Sequence, residues 1–351
     1  MSTRAAQARA HALDTGWRAV AAGPLVALVT LLAAVVVGEH LGLSVRDPDH
    51  VAAGYVGMVG AGVVLLVGVD IWIRAAARTG LRRPPLAVMR AVRRERWTRA
   101  RAGVAASSLV SFYVSYMAYR NLKAAVPLLR PEALFDLDLA RADRWLFAGH
   151  DPATLLHSLL GTGLQTQVLS TVYVAFIVFL PLSLAAALVF SRELSTTLFV
   201  ATALSINWIL GAASYLLLPS LGPIYAEPSL FAHLPHSEVT HLQHVLMDQR
   251  VTYLRDPTSG TPQSIAAFAS LHVAMSFTAL LAAYLLALPR WLKRSLWVWM
   301  ALTTLATIYL GWHYVVDDAA GIAIGGGAVV LAAALTGFEL RPGRRGSRSR
   351  S

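Results

Sequence analysis

Two short segments of the chain carry residue types and spacings that suit nucleophilic and acid–base chemistry. One contains His313 and Asp317, which stand four residues apart and would share one face of a helix. A carboxylate that accepts a hydrogen bond from one ring nitrogen fixes the histidine tautomer and leaves the other nitrogen free to react. The other segment contains Ser270 and His272, whose imidazole could protonate a leaving oxygen. The pattern predicts His313 as the reacting group, Asp317 as its orienting carboxylate and His272 as the acid.

The elements that must position these residues are membrane helices. The chain has 351 residues, of which 56% are hydrophobic and only 14% charged, against about 25% charged in soluble domains. It has no cysteine, which excludes disulfides, thiolate metal sites and a cysteine nucleophile. Apolar runs of roughly 20 residues predict spanning helices, and eight occur, near 19–38, 51–73, 104–126, 167–190, 196–218, 266–288, 295–311 and 313–337. We therefore expect an all-α polytopic membrane protein with about eight transmembrane helices.

The basic residues predict the orientation of these helices. With the N-terminus in the cytoplasm, 22 of the 30 basic residues fall on the cytoplasmic side, among them Arg4, Arg9 and ten arginines within 74–101. Twelve of the 19 acidic residues fall outside. This arrangement predicts a multi-pass cell-membrane protein with both termini cytoplasmic and both histidine segments at the outer face. Because topology explains most of the +11 charge, nucleic acid is not an expected partner.

The same pattern divides the chain into four parts. We expect an N-terminal pair of transmembrane helices (1–75), a basic cytoplasmic linker (76–103), a six-helix membrane core (104–337) and a basic disordered tail (338–351). The linker is interpreted either as an amphipathic helix after Pro84-Pro85 on an anionic leaflet or as a solvated segment that enforces topology.

Two long outer segments and several glycines refine this picture. Segment 127–166 predicts two short interfacial helices, the second opening at Asp151-Pro152, and segment 219–265 begins with a turn-rich stretch. Gly311 is the expected break between the last two spans, whereas Gly321 and Gly325 predict a close-packed helix face.

The histidine segments resemble those of a known family. Ser270-Leu271-His272 followed by His313-x3-Asp317 resembles the second and third signature motifs of the type-2 phosphatidic acid phosphatase superfamily. The stretch from Gly311 to Asp317 is similar to the His-Tyr-x-x-Asp form of its inositol-phosphorylceramide and sphingomyelin synthase branch. The resemblance covers about 104–337 as the family's six-helix core. It implies a phosphohistidine on His313, orientation of that ring by Asp317, and protonation of the leaving group by His272.

This resemblance also implies an activity. We expect an integral membrane lipid phosphatase or phosphotransferase that acts at the outer face on a lipid phosphate or phospholipid headgroup and needs no metal or other cofactor. Water as acceptor makes it a phosphatase, whereas a polyol such as inositol, or a sugar, makes it a transferase; the branch resemblance favours transfer. Membrane lipids are the expected surroundings.

The chain departs from the family pattern in two motifs. The usual second motif is Pro-Ser-Gly-His, and here Ala269 and Leu271 replace the proline and the glycine. The family's Ser-Arg pair ahead of the third-motif histidine is replaced by Ala306 and Thr307, so one phosphate-binding arginine is missing.

Other residues must then supply positive charge to a phosphate. Lys123-x6-Arg130-Pro131 has the spelling of the family's first motif but lies one outer segment earlier than the family carries it. Arg120 lies in an apolar span and needs an anion, which is either the phosphate, an intramembrane partner or a lipid headgroup. Ser270 is expected to contribute its hydroxyl. The helices that follow both histidines would also present N-terminal N–H groups to the phosphate.

Two other interpretations remain. A non-enzymatic transporter could use the same His and Asp side chains as a proton relay. Four histidines at 233, 236, 241 and 244 have spacings conceivable for zinc, although histidines on an unsupported loop are seldom ligands, so no metal is expected.

Overall fold

The computed structural model describes residues 16–258 and 260–340. These residues form helices and no strand, which confirms the all-α class. The helices are α1 (Trp17–Leu41), α2 (Val51–Thr79), α3 (Leu86–Arg96), α4 (Arg99–Leu129), α5 (Asp136–Leu146), α6 (Pro152–Leu160), α7 (Leu164–Phe190), α8 (Leu194–Leu217), α9 (Pro223–Ala226), α10 (Glu238–Arg255), α11 (Leu271–Leu285), α12 (Arg290–Tyr309) and α13 (Val315–Thr336), with a 3-10 turn at Pro228–Leu230. Arg4, Arg9 and residues 341–351 of the predicted tail lie outside the described residues.

All eight predicted spans are helices in the structure: α1, α2, α4, α7, α8, α11, α12 and α13. Five of them, α1, α2, α7, α8 and α13, are long and apolar enough to cross a membrane. The other three do not meet this combination of length and composition, since α4 is rich in serine and tyrosine, α12 begins with basic residues and α11 has only 15 residues. Helix α11 is shorter than predicted because the chain up to Ser270 stays non-helical.

The shorter predicted helices are also present. Helix α3 follows Pro84-Pro85 and folds back on α2, with Val92 packed against Ile71 and Ala75. Helices α5 and α6 are the two expected in segment 127–166, and Pro152 opens the second. Segment 219–265 contains more structure than predicted, because α10 crosses it and is capped by Ser237.

The connections fall on two ends of the helix bundle. At one end, Arg46 donates to the carbonyl oxygens of Pro257 and Thr258, which joins the α1–α2 connection to segment 219–265. At the other, Arg101 donates to the Ser191 carbonyl (2.8 Å), which joins the start of α4 to the α7–α8 connection. We call the first the site end and the second the basic end.

Helix α8 is the centre of the bundle. It packs against α1, α4, α7, α11 and α13, and its side chains from Thr196 to Trp208 are all buried. Helices α11 and α13 contact each other closely beside it. Since α8 meets both, it supports the pair of helices at whose N-terminal ends the predicted reacting residues lie.

The glycines of α13 allow this close contact. A Cβ at Gly321 would collide with the carbonyl oxygen of Ser270, and one at Gly325 with that of Ala274. The prediction of a close-packed face is therefore confirmed, and its partner is the start of α11.

We expect Gly321→Ala to force α11 and α13 apart and to lower the free energy of unfolding by about 1–3 kcal/mol. Gly327→Ala is the matched control, because nothing lies within 4 Å of a Cβ at that position. Thermal unfolding of both variants in detergent measures the difference. Equal midpoints for the two would contradict the role given to Gly321.

Candidate active site

The turn between α12 and α13, residues 310–314, places His313. Gly311 adopts a φ of +73°, and a Cβ there would lie 2.7 Å from the Phe231 ring, so glycine alone fits. The N–H groups of Trp312 and His313 both donate to the Thr307 carbonyl, at 3.0 and 3.2 Å. The break at Gly311 is confirmed. Helix α13, however, begins at Val315, so His313 precedes the helix and does not lie in its first turn.

His313 and Asp317 lie against each other. Nδ1 of His313 is 3.4 Å from Oδ2 of Asp317, and the carboxylate is fully buried. The same Oδ2 accepts a hydrogen bond from the Tyr314 N–H (3.0 Å), which caps α13 and prevents the carboxylate from turning away. This arrangement suits a histidine oriented through Nδ1, with Nε2 on the opposite side of the ring.

His272 lies close to His313. It is the second residue of α11, and the two imidazole centroids are 5.9 Å apart. Its ring packs between Tyr173 and Phe176 of α7, with centroid distances of 4.6 and 4.3 Å. The close contact of α11 with α13 therefore brings the two histidines to one place, and the aromatic rings of α7 hold the second.

Both histidines line one cavity of about 220 Å³ at the site end. Much of its wall is aromatic: Tyr55, Tyr116, Tyr119, Tyr173, Phe176, Trp208, Tyr215 and Trp312. Lys123 and Arg120 also line it, and Tyr55 belongs to α2, so the N-terminal helix pair contributes to the wall. Two imidazoles, basic side chains and a large apolar surface suit an amphiphilic anion.

Lys123 is the basic residue of this cavity that has no carboxylate partner. Its Nζ lies over the rings of Tyr215 and Tyr119, 5.2 and 5.9 Å from their centroids. Within the part of the chain that the structure describes, no carboxylate forms an ion pair with it. Among the described residues, no carboxylate therefore competes for this amino group with an anion that enters the cavity.

Arg120 is held by two carboxylates. Its guanidinium donates to Asp47 at 2.6 Å and to Asp49 at 2.6 and 2.8 Å, and both aspartates lie in the α1–α2 connection. Burial acts to raise the pKa of Asp49, but the hydrogen bonds and charge of Arg120 outweigh it and hold that pKa below its ordinary value. Of the three anions expected for Arg120, the structure therefore shows an anionic partner within the protein. Its charge is balanced before any ligand binds.

Arg130 and Ser270, both expected to bind substrate, do not line the cavity. The exposed guanidinium of Arg130 donates to the Leu216 carbonyl (2.9 Å). Ser270 is fully buried; its hydroxyl accepts from the Val273 N–H (3.5 Å), and its own N–H donates to the Asp317 carbonyl (3.0 Å). The polar groups of Arg130 and Ser270 therefore form hydrogen bonds within the protein, at the end of α4 and at the start of α11.

Asp318 is a buried carboxylate to which the sequence analysis gave no role. It accepts a hydrogen bond from the Thr307 hydroxyl (3.0 Å), which connects α12 to α13. Its position beside Asp317 in the sequence was the available signal.

The N–H groups at the start of α13 are already occupied. Tyr314 donates to Asp317, and Val315 and Val316 donate to Asp143. The prediction that the N-terminus of α13 binds a phosphate is therefore wrong, because carboxylates of the protein take those donors.

The histidines of segment 219–265 are not gathered into a metal site in the described residues. His233 lies against His157, with ring centroids 4.9 Å apart. Across residues 16–258 and 260–340, no group of three or more His, Asp or Glu side chains is placed to hold a metal ion.

A family model described as PAP2 superfamily matches residues 137–331, more than half of the chain. The matched residues include His272, His313 and Asp317, whereas Arg120, Lys123 and Arg130 precede them. No curated protein and no solved structure matches the chain.

We expect Asp49→Asn to lower the free energy of unfolding by about 1–3 kcal/mol at neutral pH, because a buried donor of Arg120 then loses a charged acceptor. Since the folded-state pKa of Asp49 is lowered, its stabilisation is complete above the unfolded pKa, near 3.8, and is lost as the pH falls through the folded value.

Thermal unfolding of wild type and Asp49→Asn as a function of pH measures this effect. The gap between them should narrow below about pH 4. Asp138→Asn is the control, because Asp138 makes only an exposed pair with Arg141. A constant gap over the acid range would contradict the ion pair.

Proposed function

Because the chain belongs to the PAP2 superfamily, we propose that it is an integral membrane lipid phosphatase or phosphotransferase. Membership of the superfamily supports a phosphatase-type activity in general terms. The proposed reaction proceeds through a phosphohistidine. One observation carries the proposal: His313 and His272 line the same cavity, and Nδ1 of His313 lies 3.4 Å from the Asp317 carboxylate.

The proposed reaction has two steps. In the first, Nε2 of His313 attacks the phosphorus atom, a P–N bond forms, and the P–O bond to the leaving group breaks. His272 donates its proton to the leaving oxygen, and the Asp317 carboxylate stabilises the positive charge that develops on the His313 ring. In the second, neutral His272 takes a proton from water or an alcohol, which attacks phosphorus and releases His313.

Lys123 is the proposed partner of the phosphoryl oxygens. Negative charge on these oxygens must be balanced in the transition state, and the Lys123 cation faces the same cavity as both histidines without an ion-pair partner among the described residues. Arg120 adds to the local potential, but its direct hydrogen bonds go to Asp47 and Asp49.

The proposed substrate is a lipid phosphate or a phospholipid headgroup. The cavity carries the aromatic wall described above next to the reacting groups, and such a surface accommodates the apolar part of an amphiphile. A polyol or sugar acceptor, in the manner of an inositol phosphotransferase, is the proposed second substrate. Aromatic rings and tyrosine hydroxyls, such as the Tyr119–Tyr215 pair at 3.4 Å, suit such an acceptor as well.

The competing proposal is a membrane transporter without enzymatic activity. His272, His313 and Asp317 would then relay protons beside the cavity. The two proposals differ in whether phosphate or a headgroup is released from the substrate.

We expect His313→Ala to reduce phosphate release or headgroup transfer by at least about 10³-fold, because the nucleophile is removed. His150→Ala, an exposed histidine of the α5–α6 loop, is the control and should be fully active. Purified proteins are assayed on lipid phosphates and phospholipids, with and without inositol or a sugar.

Acid-labile labelling of the wild type by a phosphate-labelled substrate, lost in His313→Ala, is the matching evidence for a phosphohistidine. If the wild-type protein releases no phosphate and transfers no headgroup from any substrate, the enzymatic proposal is wrong and the transporter proposal is favoured.

We further propose that the basic end faces the cytoplasm, as do both termini, and that the site end faces outward. The exposed arginines around α3 at the basic end favour the cytoplasmic side.

The chain has no cysteine, so single-cysteine variants report on each end without background. We expect His150→Cys at the site end to react with an impermeant maleimide added to intact cells, and Arg83→Cys at the basic end to react only after permeabilisation. The reverse labelling pattern would invert the proposed orientation.

A further inference from the structure

Helix α5 carries two buried carboxylates that point toward the site. Asp136 and Asp143 are 5% and 3% exposed, whereas Asp138 on the same helix is exposed and pairs with Arg141. An amphipathic helix at the surface normally turns its charges to solvent. The burial of these two aspartates therefore requires an explanation. Each accepts hydrogen bonds from backbone N–H groups close to His313.

Asp143 binds the start of α13. Its Oδ2 accepts from the Val315 N–H at 2.7 Å, and its Oδ1 accepts from the Val316 N–H at 3.1 Å. Asp317 of the same turn accepts from the N–H of Tyr314. Three consecutive N–H groups, directly after His313, are thus bound by two carboxylates, one from α13 itself and one from α5.

Asp136 binds the loop at Leu221 and Gly222, which packs against this turn, and the side chain of Tyr314. It accepts from the N–H groups of Leu221 and Gly222, at 3.0 and 2.8 Å, and from the Tyr314 hydroxyl at 3.2 Å. A Cβ at Gly222 would collide with the carbonyl oxygen of Trp312, so this loop is pressed directly against the turn that carries His313.

Burying these carboxylates is unfavourable. Burial raises the pKa of Asp143 above its ordinary value, although the bonds from Val315 and Val316 act in the opposite direction. Burial likewise raises the pKa of Asp136. The cost of desolvation is offset by hydrogen bonds from backbone N–H groups on either side of His313, and these bonds fix the position of that backbone.

We propose that Asp143, assisted by Asp136, is a positioning residue of the active site: it holds the first turn of α13 so that Asp317 stays against His313 and His313 stays beside His272. This inference rests on the proposed function, because it assigns the two aspartates a part in the same reaction. Displacing a reacting group by about 1 Å can lower a rate about 100-fold, so a small shift of this turn is sufficient.

Asp143→Asn tests the proposal. The amide keeps the shape of the side chain but presents an NH₂ group to one of the two backbone donors. We expect kcat to fall about 10- to 100-fold while KM changes less than about 3-fold, because the ring of His313 is displaced while the cavity wall is kept. Asp143→Glu, which retains two acceptor oxygens and the charge, should recover part of the loss.

Asp138→Asn is the matched control on the same helix and should match wild type in kcat, KM and unfolding temperature. Amide hydrogen exchange of the peptide covering 310–320, measured by mass spectrometry, reports directly on the turn. It should become at least about 10-fold faster in Asp143→Asn and stay unchanged in Asp138→Asn, with the rest of the bundle protected in both.

These readouts separate the two proposals. An active wild type with Asp143→Asn equal to it in kcat and in exchange overturns the positioning role alone. A general loss of protection throughout Asp143→Asn also overturns it, since Asp143 would then support the whole fold. An inactive wild type overturns the proposed function, and the exchange of 310–320 then still decides whether Asp143 holds the turn.

Discussion

The close contact between α11 and α13 is the constraint on which the site depends. Gly321 and Gly325 let α13 approach the backbone of α11 at Ser270 and Ala274. His272 stands two residues after Ser270, and His313 stands two residues before Val315, the first residue of α13, so the distance between the helices sets the distance between the imidazoles. Small residues at this helix interface therefore set the geometry of the candidate site as well as the packing.

The charged side chains near the cavity differ in whether the protein itself provides them with a partner. Arg120 is matched by Asp47 and Asp49, and Asp143 by two backbone N–H groups, so these groups are held within the protein. Lys123 is the contrasting case, a cation over aromatic rings with no carboxylate paired to it in the described part of the chain. A buried charge is unfavourable unless it is paired, so an unpaired lysine beside two histidines is the position where an anionic ligand adds most stabilisation.

The sequence placed the groups proposed to react more accurately than the groups expected to bind substrate. His313, Asp317 and His272 stood out because their types and spacing have a chemical reason, and the structure brings them together. Ser270 and Arg130 were chosen because they stand in or near motifs, yet their polar atoms bond to the Val273 N–H and to the Leu216 carbonyl. Asp143 escaped notice because nothing local distinguishes it from Asp138, and only the docked position of α5 shows which carboxylate is buried.

The sequence by itself determined the helices at all eight predicted spans, their order and the break at Gly311, because apolar run length, proline and glycine act over one or two turns of chain. It also indicated which residues have types and spacings that suit the proposed phosphoryl transfer. The tertiary structure alone decided that Arg120 is neutralised, that Lys123 faces the histidines and that α5 supplies carboxylates to the start of α13. These are contacts between residues distant in the chain, set by how whole helices pack, and no local pattern specifies which donor meets which acceptor.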